Sequence, residues 1–285
     1  MVKKHLTKLK GRPRDTHKRD FGHVFVVAGS AGMTGAAFLA AQAAIRSGSG
    51  VVTCGIPKSL NPVMEVKLTE VMTLPLAETK YATLALSSKK DILSFSEKCD
   101  AIALGPGISR HEETLCLARA LIKDIKRPLV LDADGIIALT GNTASLRKRK
   151  HATVITPHPG EMAKVLSTDT HNVQKNREKT ALSFAKRHGV VTVLKGYRTV
   201  VADPAGEIYV NTTGNSGMST AGAGDVLTGM LASFIGQGLD SYSASVIAVY
   251  IHGIAGDIAA REKGIFGMIA GDILECVPQA IKEVV

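Results

Sequence analysis

Short apolar runs alternate with glycine-rich or polar loops along most of the chain. The first run, residues 23–28, is followed by the loop Gly29–Gly35 and an alanine-rich segment from about Ala36 to Arg46. The next apolar run begins at Val51. Short apolar runs predict buried strands, and longer segments with helical spacing predict helices. The order strand, glycine loop, helix, strand predicts a parallel sheet with crossover helices.

The alternation recurs in the middle of the chain. Apolar runs at 101–104, 128–131, 153–155 and 190–194 each end at a polar or glycine-rich loop. Open α/β sheets bind ligands beyond the carboxyl ends of their strands, so we expect the functional site at these loops. Residues 198–210 differ, because two short β-rich runs around a turn predict a β-hairpin.

Three helical stretches close the chain, near residues 224–235, 241–262 and 269–283. The whole pattern predicts an α/β fold with a central, mostly parallel β-sheet and helices on both faces. The sequence shows no clear repeat or linker, so we predict one domain over residues 21–285, preceded by a basic arm over residues 1–20.

The basic arm accounts for much of the charge. The formal net charge of the 285 residues is +10, and residues 1–20 carry eight Lys or Arg against two Asp. Such an arm either binds nucleic acid or membrane phosphates, or is a solvated leader whose end packs near an anionic ligand. The second interpretation is favoured, because no second basic cluster follows. Aromatic residues make up 4% and Trp is absent, which argues against a base-stacking platform. We therefore expect neither a nucleic-acid nor a membrane partner.

The four cysteines do not form a close pair of the metal-ligand type. Cys54 and Cys276 lie in apolar segments and are predicted to be buried. The sequence shows no apolar signal core and no apolar run of membrane-spanning length. These features predict a protein of the reducing cytoplasm.

The strongest candidate for chemistry is the run of small and hydroxyl residues Asn215–Gly229. Small residues allow backbone N–H groups to approach an anion, and the helix that follows presents its positive end. Gly222, Ala223 and Gly224 would form an anion hole for a transferring phosphoryl group. Asp225 would accept a proton from the attacking hydroxyl. The alternative is a glycine-rich turn with an ordinary first-turn aspartate; the length of the run favours the site.

Two loops at strand ends are further candidates. Gly29–Gly35 has neither dinucleotide-fingerprint nor P-loop spacing, yet it remains a plausible contact for phosphate or ribose. In Thr156–Glu161, two prolines restrict the backbone around His158 and favour a ligand role for that side chain. Glu161 is equally consistent with a ligand role and with a first-turn helix carboxylate.

Several isolated polar residues are ambiguous. Lys195 is either a phosphate ligand or a surface lysine. Asp132 and Asp134 suit acid–base chemistry, Mg²⁺ binding or helix capping. His252 and Asp257 lie in an apolar helical stretch, where a satisfied structural role is favoured.

Together these motifs resemble the NAD(P)H-hydrate dehydratase family of the ribokinase-like superfamily. They occur in the family's order and span nearly the whole chain from about residue 20. The matching segments are Gly29–Ala36, Leu104–Gly107, Asp132–Gly135, Thr156–Glu161, Lys195–Gly196 and Asn215–Gly229.

The resemblance implies a repair reaction on NADH or NADPH that has been hydrated on the nicotinamide ring (NADHX, NADPHX). The ring hydroxyl is phosphorylated, phosphate leaves and the double bond returns. The implied co-substrate is ADP, converted to AMP, with Mg²⁺ on the phosphates; eukaryotic relatives typically use ATP. A homotetramer is also implied, and an epimerase activity is expected on a separate chain.

The resemblance also assigns residues. Asp225 would be the base and would contact the hydrated cofactor together with Ala36 or Ala37, Gly107 and His158. The nucleotide side would comprise Lys195, Gly196, Tyr197, Arg198, Thr199 and Gly224.

Two other functions remain open. One is a ribokinase-like kinase for a vitamin precursor such as hydroxyethylthiazole or a pyridoxal-like alcohol, with the same base and anion hole. The other is a non-catalytic nucleotide-binding regulator. The intact Gly-Ala-Gly-Asp sequence counts against a regulator, because a protein that only binds needs no base.

Overall fold

Nine strands form one sheet in the computed structural model, which describes residues 2–9 and 11–285. The spatial order is β3-β2-β1-β4-β5-β6-β7-β8-β9; strands β1 to β7 are parallel, and β8 and β9 pair antiparallel at one edge. The predicted sheet and hairpin are confirmed. The strands are β1 (His23–Val27), β2 (Val51–Pro57), β3 (Met72–Leu76), β4 (Ala101–Leu104), β5 (Leu129–Leu131), β6 (Thr153–Ile155), β7 (Val191–Leu194), β8 (Val200–Ala202) and β9 (Ile208–Val210).

Helices cover both faces of the sheet, as predicted. Helices α2, α10, α11 and α12 share one core with the sheet, and α4, α5, α6, α7 and α9 share the other. The helices are α1 (Lys3–Leu6), α2 (Thr34–Arg46), α3 (Asn61–Lys67), α4 (Lys89–Ser96), α5 (Glu112–Asp124), α6 (Ala133–Ile137), α7 (Pro159–Leu166), α8 (Thr170–Lys175), α9 (Arg177–His188), α10 (Ala223–Gly236), α11 (Ser241–Lys263) and α12 (Ala270–Lys282).

Strand β1 shows how the sheet serves two cores. Val24 and Val26 face the α2–α10 side, whereas Phe25 and Val27 face the opposite side. Successive side chains of a strand point to opposite faces, so a strand covered on both sides is a continuous apolar run. This is why the sequence showed uninterrupted apolar runs.

The position of α10 is set by its close crossing with α2. A Cβ atom on Gly229 would lie 2.0 Å from the carbonyl oxygen of Ala40, so only glycine permits this approach. The crossing holds the first turn of α10, which carries Asp225, against the carboxyl edge of the sheet.

Helix α11 corrects one expectation. By length and composition it is long and apolar enough to cross a membrane. In this structure 78% of its apolar 18-residue segment is buried inside the protein. A core helix covered by protein passes the same test, so this helix is weak support for a membrane span.

The amino-terminal arm contacts α11 and the hairpin. The ring of His5 is buried, with Nδ1 2.9 Å from Ser243 Oγ. Lys8 Nζ lies 2.7 Å from Asp240 Oδ2, and Lys4 Nζ lies 3.2 Å from Glu207 Oε2. Exposed pairs of this kind stabilise by about 0–1 kcal/mol each. One lysine counted in the arm lies outside the described residues, at position 10, and the division into arm and domain stays a prediction.

Candidate active site

The glycine-rich run forms the start of α10. Gly222 has a φ of +92°, in the left-handed region that favours glycine. A Cβ there would also lie 2.5 Å from Leu39 Cδ1 and 3.0 Å from the Cβ of Ala270. The loop therefore threads between α2 and α12, which no larger residue would allow.

The first turn of α10 presents free backbone N–H groups. Its first hydrogen bond runs from the N–H of Val226 to the carbonyl of Gly222, at 3.1 Å. The N–H groups of Gly224 and Asp225 precede that bond and sit at the positive end of the helix. Such a turn binds an anion well. Of the predicted anion-hole residues, Gly224 offers its N–H, whereas the N–H of Ala223 donates to the carbonyl of Thr220 at 3.4 Å, so Asp225 supplies the second donor.

A buried ion pair lies beside this turn. Lys195, directly after β7, has its Nζ 2.6 Å from Oδ1 of Asp132, directly after β5. Asp132 is only 1% exposed and also accepts hydrogen bonds from Thr156 Oγ1 and Thr228 Oγ1, each at 2.8 Å. Asp132 occupies the N-cap position of α6, but its side chain makes no capping hydrogen bond. The capping interpretation of Asp132 is therefore wrong.

Lys195 is not a surface lysine. A Cβ on Gly224 would lie 3.0 Å from its Nζ, which places the ammonium over the start of α10. Burial by itself lowers the pKa of Lys195, but the nearby carboxylates of Asp132, Glu161 and Asp225 outweigh it, so the pKa is raised. The side chain stays charged and able to bind phosphate.

Asp225 has the electrostatics of a general base. Burial raises its pKa to about 7, the negative charge of Asp132 adds to the increase, and the cation of Lys195 opposes it. A base is most effective when its pKa is near the working pH. A carboxyl group with this pKa beside an anion hole fits the predicted proton acceptor.

His158 is the N-cap residue of α7 and is held there by Glu161. Its Nδ1 accepts the N–H of Gly160 at 3.0 Å, and Glu161 Oε2 accepts the N–H of His158 at 2.8 Å. The first-turn interpretation of Glu161 is thus confirmed. The His158 side chain is 57% exposed, and its Nε2 lies 3.4 Å from Glu161 Oε1. Burial of part of the ring and the cation of Lys195 lower the pKa of His158, which favours the neutral ring.

Gly107 and Ala36 adjoin each other, as a shared cofactor contact requires. A Cβ on Gly107 would lie 3.0 Å from the Cβ of Ala36, and Ser30 Oγ donates to the Gly107 carbonyl at 2.8 Å. Ala36 and Ala37 lie in helix α2 rather than in the predicted loop. Ala37 is completely buried, so only Ala36 offers surface to a ligand.

A cavity of about 490 Å³ adjoins the anion hole on the side of the hairpin. Its lining includes the predicted nucleotide residues 195–199 and Gly224, together with Asn211, residues 213–216, Val249 and His252. The structure therefore brings the whole predicted nucleotide set to one cavity. It is large enough to receive the nucleoside part of a nucleotide whose phosphates point to the helix.

Arg177, on α9, was not found by sequence reasoning. Its guanidinium donates to the carbonyl of Leu194 at 2.9 Å and to that of Tyr197, so it anchors the end of β7 and the middle of the loop that leads to β8. A Cβ on Gly196 would lie 3.2 Å from that guanidinium. The sequence carried no signal for this role, because an arginine near a helix start is usually a surface residue.

Two other aspartates prove structural. Asp257 accepts hydrogen bonds from the N–H of Gly214 and from Asn215 Nδ2, both at 2.9 Å, which confirms its predicted role. Asp134 pairs with Arg110 Nε at 3.0 Å and accepts the N–H of Ser109. Among residues 2–9 and 11–285, no group of three or more His, Cys, Asp or Glu side chains could hold a metal ion.

Comparison of the sequence with known proteins shows which family this chain resembles. The sequence profile of the NAD(P)H-hydrate dehydratase family matches residues 24–279. A bifunctional NAD(P)H-hydrate repair enzyme Nnr of Moorella thermoacetica is 42% identical over 276 residues, which cover 97% of this chain and 52% of that protein. The chain thus spans about half the length of this relative. An ADP-dependent (S)-NAD(P)H-hydrate dehydratase of Neisseria meningitidis is 36% identical, over 93% of this chain and 86% of that protein.

Solved structures show the same similarity. The ADP/ATP-dependent NAD(P)H-hydrate dehydratase of Bacillus subtilis, co-crystallised with ATP and Mg²⁺, has a TM-score of 0.86 and 29% identity, covering 100% of this chain and 98% of that one. A ribokinase of Thermotoga maritima has a TM-score of 0.58 at 17% identity, covering 91% and 99%, and shares the fold alone. The ribokinase-like fold is thereby confirmed.

Proposed function

The chain belongs to the NAD(P)H-hydrate dehydratase family, and we propose that it returns hydrated NADH or NADPH to the reduced cofactor, with ADP as phosphoryl donor. The observation that carries the proposal is Asp225, a carboxyl group with a pKa of about 7 at the anion-binding start of α10. The names of the Neisseria and Bacillus relatives support the choice of substrate and nucleotide.

Asp225 takes the proton of the nicotinamide-ring hydroxyl. The oxygen attacks the β-phosphorus of ADP, the bond between the phosphoanhydride oxygen and that phosphorus breaks, and AMP leaves. The ring carbon then carries a phosphate ester. Phosphate departs with the electron pair of the carbon–oxygen bond. The neighbouring ring carbon loses a proton to water, and the electrons of that carbon–hydrogen bond restore the double bond. Phosphorylation assists because hydroxide is a poor leaving group and phosphate a good one.

The chain supplies the electrostatic part of this chemistry. The N–H groups of Gly224 and Asp225 and the ammonium of Lys195 stabilise the negative charge on the transferring group. Asp132 and the two threonines bonded to it hold that ammonium in place. Mg²⁺ prefers oxygen ligands and is commonly carried by the phosphates themselves, which suits a site where the described part of the chain offers no dedicated carboxylate cage.

The substrate side consists of three residues near helix starts. His158 and Gly107 lie on the loops that precede α7 and α5, and Ala36 lies in the first turn of α2. Part of this surface continues from His158 into a cavity of about 510 Å³, whose lining carries the cations Arg110 and Lys164 together with the carboxylates Glu161 and Asp169. Cationic side chains beside a nicotinamide contact suit a dinucleotide, whose diphosphate is anionic.

The experiment that tests the proposal follows the reduced-nicotinamide absorbance after hydrated NADH is mixed with ADP. We expect recovery of absorbance and release of AMP. Asp225→Asn should slow recovery by about 10²–10⁴-fold, the usual effect of removing a positioned base. Asp91→Asn, an exposed first-turn aspartate of α4, is the matched control and should leave the rate unchanged.

Three outcomes would contradict the proposal. Absence of recovery with either ADP or ATP would exclude the dehydratase activity. Full activity of Asp225→Asn would remove its assigned base. Accumulation of a phosphorylated vitamin-precursor alcohol, without turnover of hydrated NADH, would support the kinase alternative instead.

We extend the proposal to a homotetramer located in the cytoplasm. Val66 on α3 and Met72 on the edge strand β3 are exposed apolar side chains that offer contact to another subunit. Light scattering coupled to size-exclusion chromatography measures the assembly, and a monomer at working concentration would contradict it.

A further inference from the structure

Tyr81 is a large aromatic side chain exposed at the carboxyl edge of the sheet. It lies in the segment that follows β3, and 56% of it is exposed. Strands β3, β2, β1 and β4 run parallel, so this segment leaves the sheet at the same edge as Ala36 and Gly107. A single exposed aromatic is common on protein surfaces, so its surroundings decide whether it has a role.

The turn that carries Tyr81 is held firmly by hydrogen bonds. The N–H of Tyr81 donates to Thr79 Oγ1 at 3.2 Å, and Thr79 Oγ1 lies 2.9 Å from Thr83 Oγ1. Thr83 Oγ1 in turn lies 2.8 Å from the buried Oγ1 of Thr114, in the first turn of α5. Ala82 has a φ of +51°, a left-handed conformation that persists in a non-glycine residue where the surroundings determine it. The ring of Tyr81 is therefore presented from a fixed backbone.

This turn is joined to the loops of the proposed substrate side. The carbonyl of Ala82 accepts the N–H of Ala31 at 3.0 Å, and Ala31 belongs to the glycine-rich loop before α2. Ser30 of the same loop donates to the carbonyl of Gly107 at 2.8 Å. Hydrogen bonds thus link the turn of Tyr81, through one loop, to a proposed contact of the nicotinamide ring.

The loop between β4 and α5 makes a second connection. It begins at Gly107 and continues to Arg110, which lines the cavity beside His158 and has 58% of its side chain exposed. The next residue, His111, packs its ring against that of Tyr81, with the ring centroids 5.2 Å apart. Contacts for a ring, for an anion and for a second ring therefore follow one another in the order in which a dinucleotide carries nicotinamide, diphosphate and adenine.

The second substrate occupies the other end of the sheet. The proposed ADP cavity borders residues 195–199 and the segment after β9, whereas Tyr81 follows β3, and these strands are the two ends of the sheet order. Two nucleotides bound at the same time need separate space. With its nicotinamide ring at Asp225, the hydrated dinucleotide has free surface for its adenosine half in the direction of β1 and β3.

The chemistry around Tyr81 suits an adenosine joined to a diphosphate. Every base has a π-face, so an exposed aromatic ring can stack against it without reading its sequence. The Nζ of Lys80 lies 5.1 Å from the centroid of the Tyr81 ring, on an exposed side chain. An ammonium beside a stacking ring is placed to bind phosphate oxygens of the same ligand.

We propose that the ring of Tyr81 stacks against the adenine of the hydrated dinucleotide, supported by the ring of His111. This inference rests on the proposed function for the identity of the dinucleotide. Tyr81 is then a specificity residue that makes the protein favour a dinucleotide over its nicotinamide half, while the reaction at Asp225 proceeds without it.

The test compares hydrated NADH with hydrated reduced nicotinamide mononucleotide, which carries the same reacting ring but no adenosine. Tyr81→Leu should raise the KM for hydrated NADH about five- to fifty-fold, the affinity that one stacked base supplies. Its kcat should stay unchanged, because the contact is the same in the bound substrate and in the transition state. With the mononucleotide the substitution should have no effect.

Two further variants are the controls. Tyr81→Phe keeps the ring and should behave as the wild type. Phe21→Leu is the matched substitution, because Phe21 also lies beside a cation, with the guanidinium of Arg12 4.1 Å from its ring centroid, but precedes β1 at the opposite edge of the sheet. It should leave both KM values unchanged.

The outcomes separate this inference from the proposed function. If the wild type repairs neither hydrated substrate, the proposed function fails and the inference falls with it. If the wild type repairs hydrated NADH and folded Tyr81→Leu has the same KM, or an equally raised KM for the mononucleotide, only the inference is wrong. Should Tyr81→Leu not fold, the wild type decides, because equal KM values for the two substrates would show that the adenosine is not bound.

Discussion

The ammonium of Lys195 lies 2.6 Å from the carboxylate of Asp132, although 63 positions separate the two residues in the chain. Strands β5 and β7 end at the same edge of the sheet with only β6 between them, and this brings the pair together. The pair is buried beside Asp225, so its charges act strongly on the proposed base.

The stability of the protein should depend on the ionisation of Asp225. Its folded pKa of about 7 lies above the ordinary value of 3.8, so the folded state binds the proton more tightly than the unfolded state. Stability is therefore lost as pH rises from about 4 to about 7. Asp225→Asn should be more stable than the wild type at pH 8 by about 1–3 kcal/mol, since one pKa unit corresponds to about 1.4 kcal/mol and partial exposure reduces the effect.

Denaturant unfolding at pH 4 and pH 8 measures this difference. The gain from Asp225→Asn should shrink towards zero at pH 4, where the wild-type carboxyl is protonated in the folded state. Equal stability of the two proteins at pH 8 would contradict the raised pKa.

Asp132→Asn should shift the pH dependence of the reaction to lower pH. The negative charge of Asp132 raises the pKa of Asp225, so its removal lets the base ionise at lower pH. The acidic limb of kcat/KM should therefore move below its wild-type midpoint near pH 7. The substitution leaves Lys195 without its partner, so we also expect a lower rate and a loss of stability of about 3–5 kcal/mol.

Asp134→Asn is the comparison for that experiment. Asp134 also raises the pKa of Asp225, but less than Asp132 does. The pH profile of kcat/KM in Asp134→Asn should therefore move in the same direction by a smaller amount. A pH profile that stays in place in Asp132→Asn would show that Asp132 does not act on the base.

Two substitutions of His158 should separate its proposed contact with the substrate from its capping of α7. Its Nδ1 caps α7, and asparagine is a strong N-cap residue. His158→Asn should keep the fold and raise the KM for hydrated NADH, whereas His158→Ala should also lose about 1 kcal/mol of stability. Steady-state kinetics and thermal unfolding of both variants test this, and an unchanged KM in each would exclude a substrate contact.

The α2–α10 crossing should not tolerate a side chain at position 229. Gly229→Ala places a Cβ 2.0 Å from the Ala40 carbonyl oxygen, so the helices must separate. We expect a loss of about 1–3 kcal/mol, typical of overpacking, and weaker nucleotide binding, because the start of α10 moves with the helix. Gly271→Ala on α12 is the control, since its nearest contact would be 3.7 Å away. Similar unfolding midpoints for the two variants would contradict the tight crossing.

Much of the fold was predictable from local patterns. Apolar runs located the strands, because a strand covered on both faces carries no polar alternation. Boundaries were less certain: α2 begins at Thr34 rather than near Ala36, and β2 continues to Pro57 beyond the first apolar residues. Glycine and small residues at the helix start left the boundary of α2 without a sequence marker.

The sequence by itself located single candidate segments: the run before Asp225, the loop at His158 and the lysine that follows β7. Each depends on residues close together in the chain, where backbone preference and spacing act directly. Only the tertiary structure decided which of these groups meet. It paired Lys195 with Asp132 and buried Ala37, because burial and long-range contacts, rather than local sequence, set the pKa and the accessibility of a side chain.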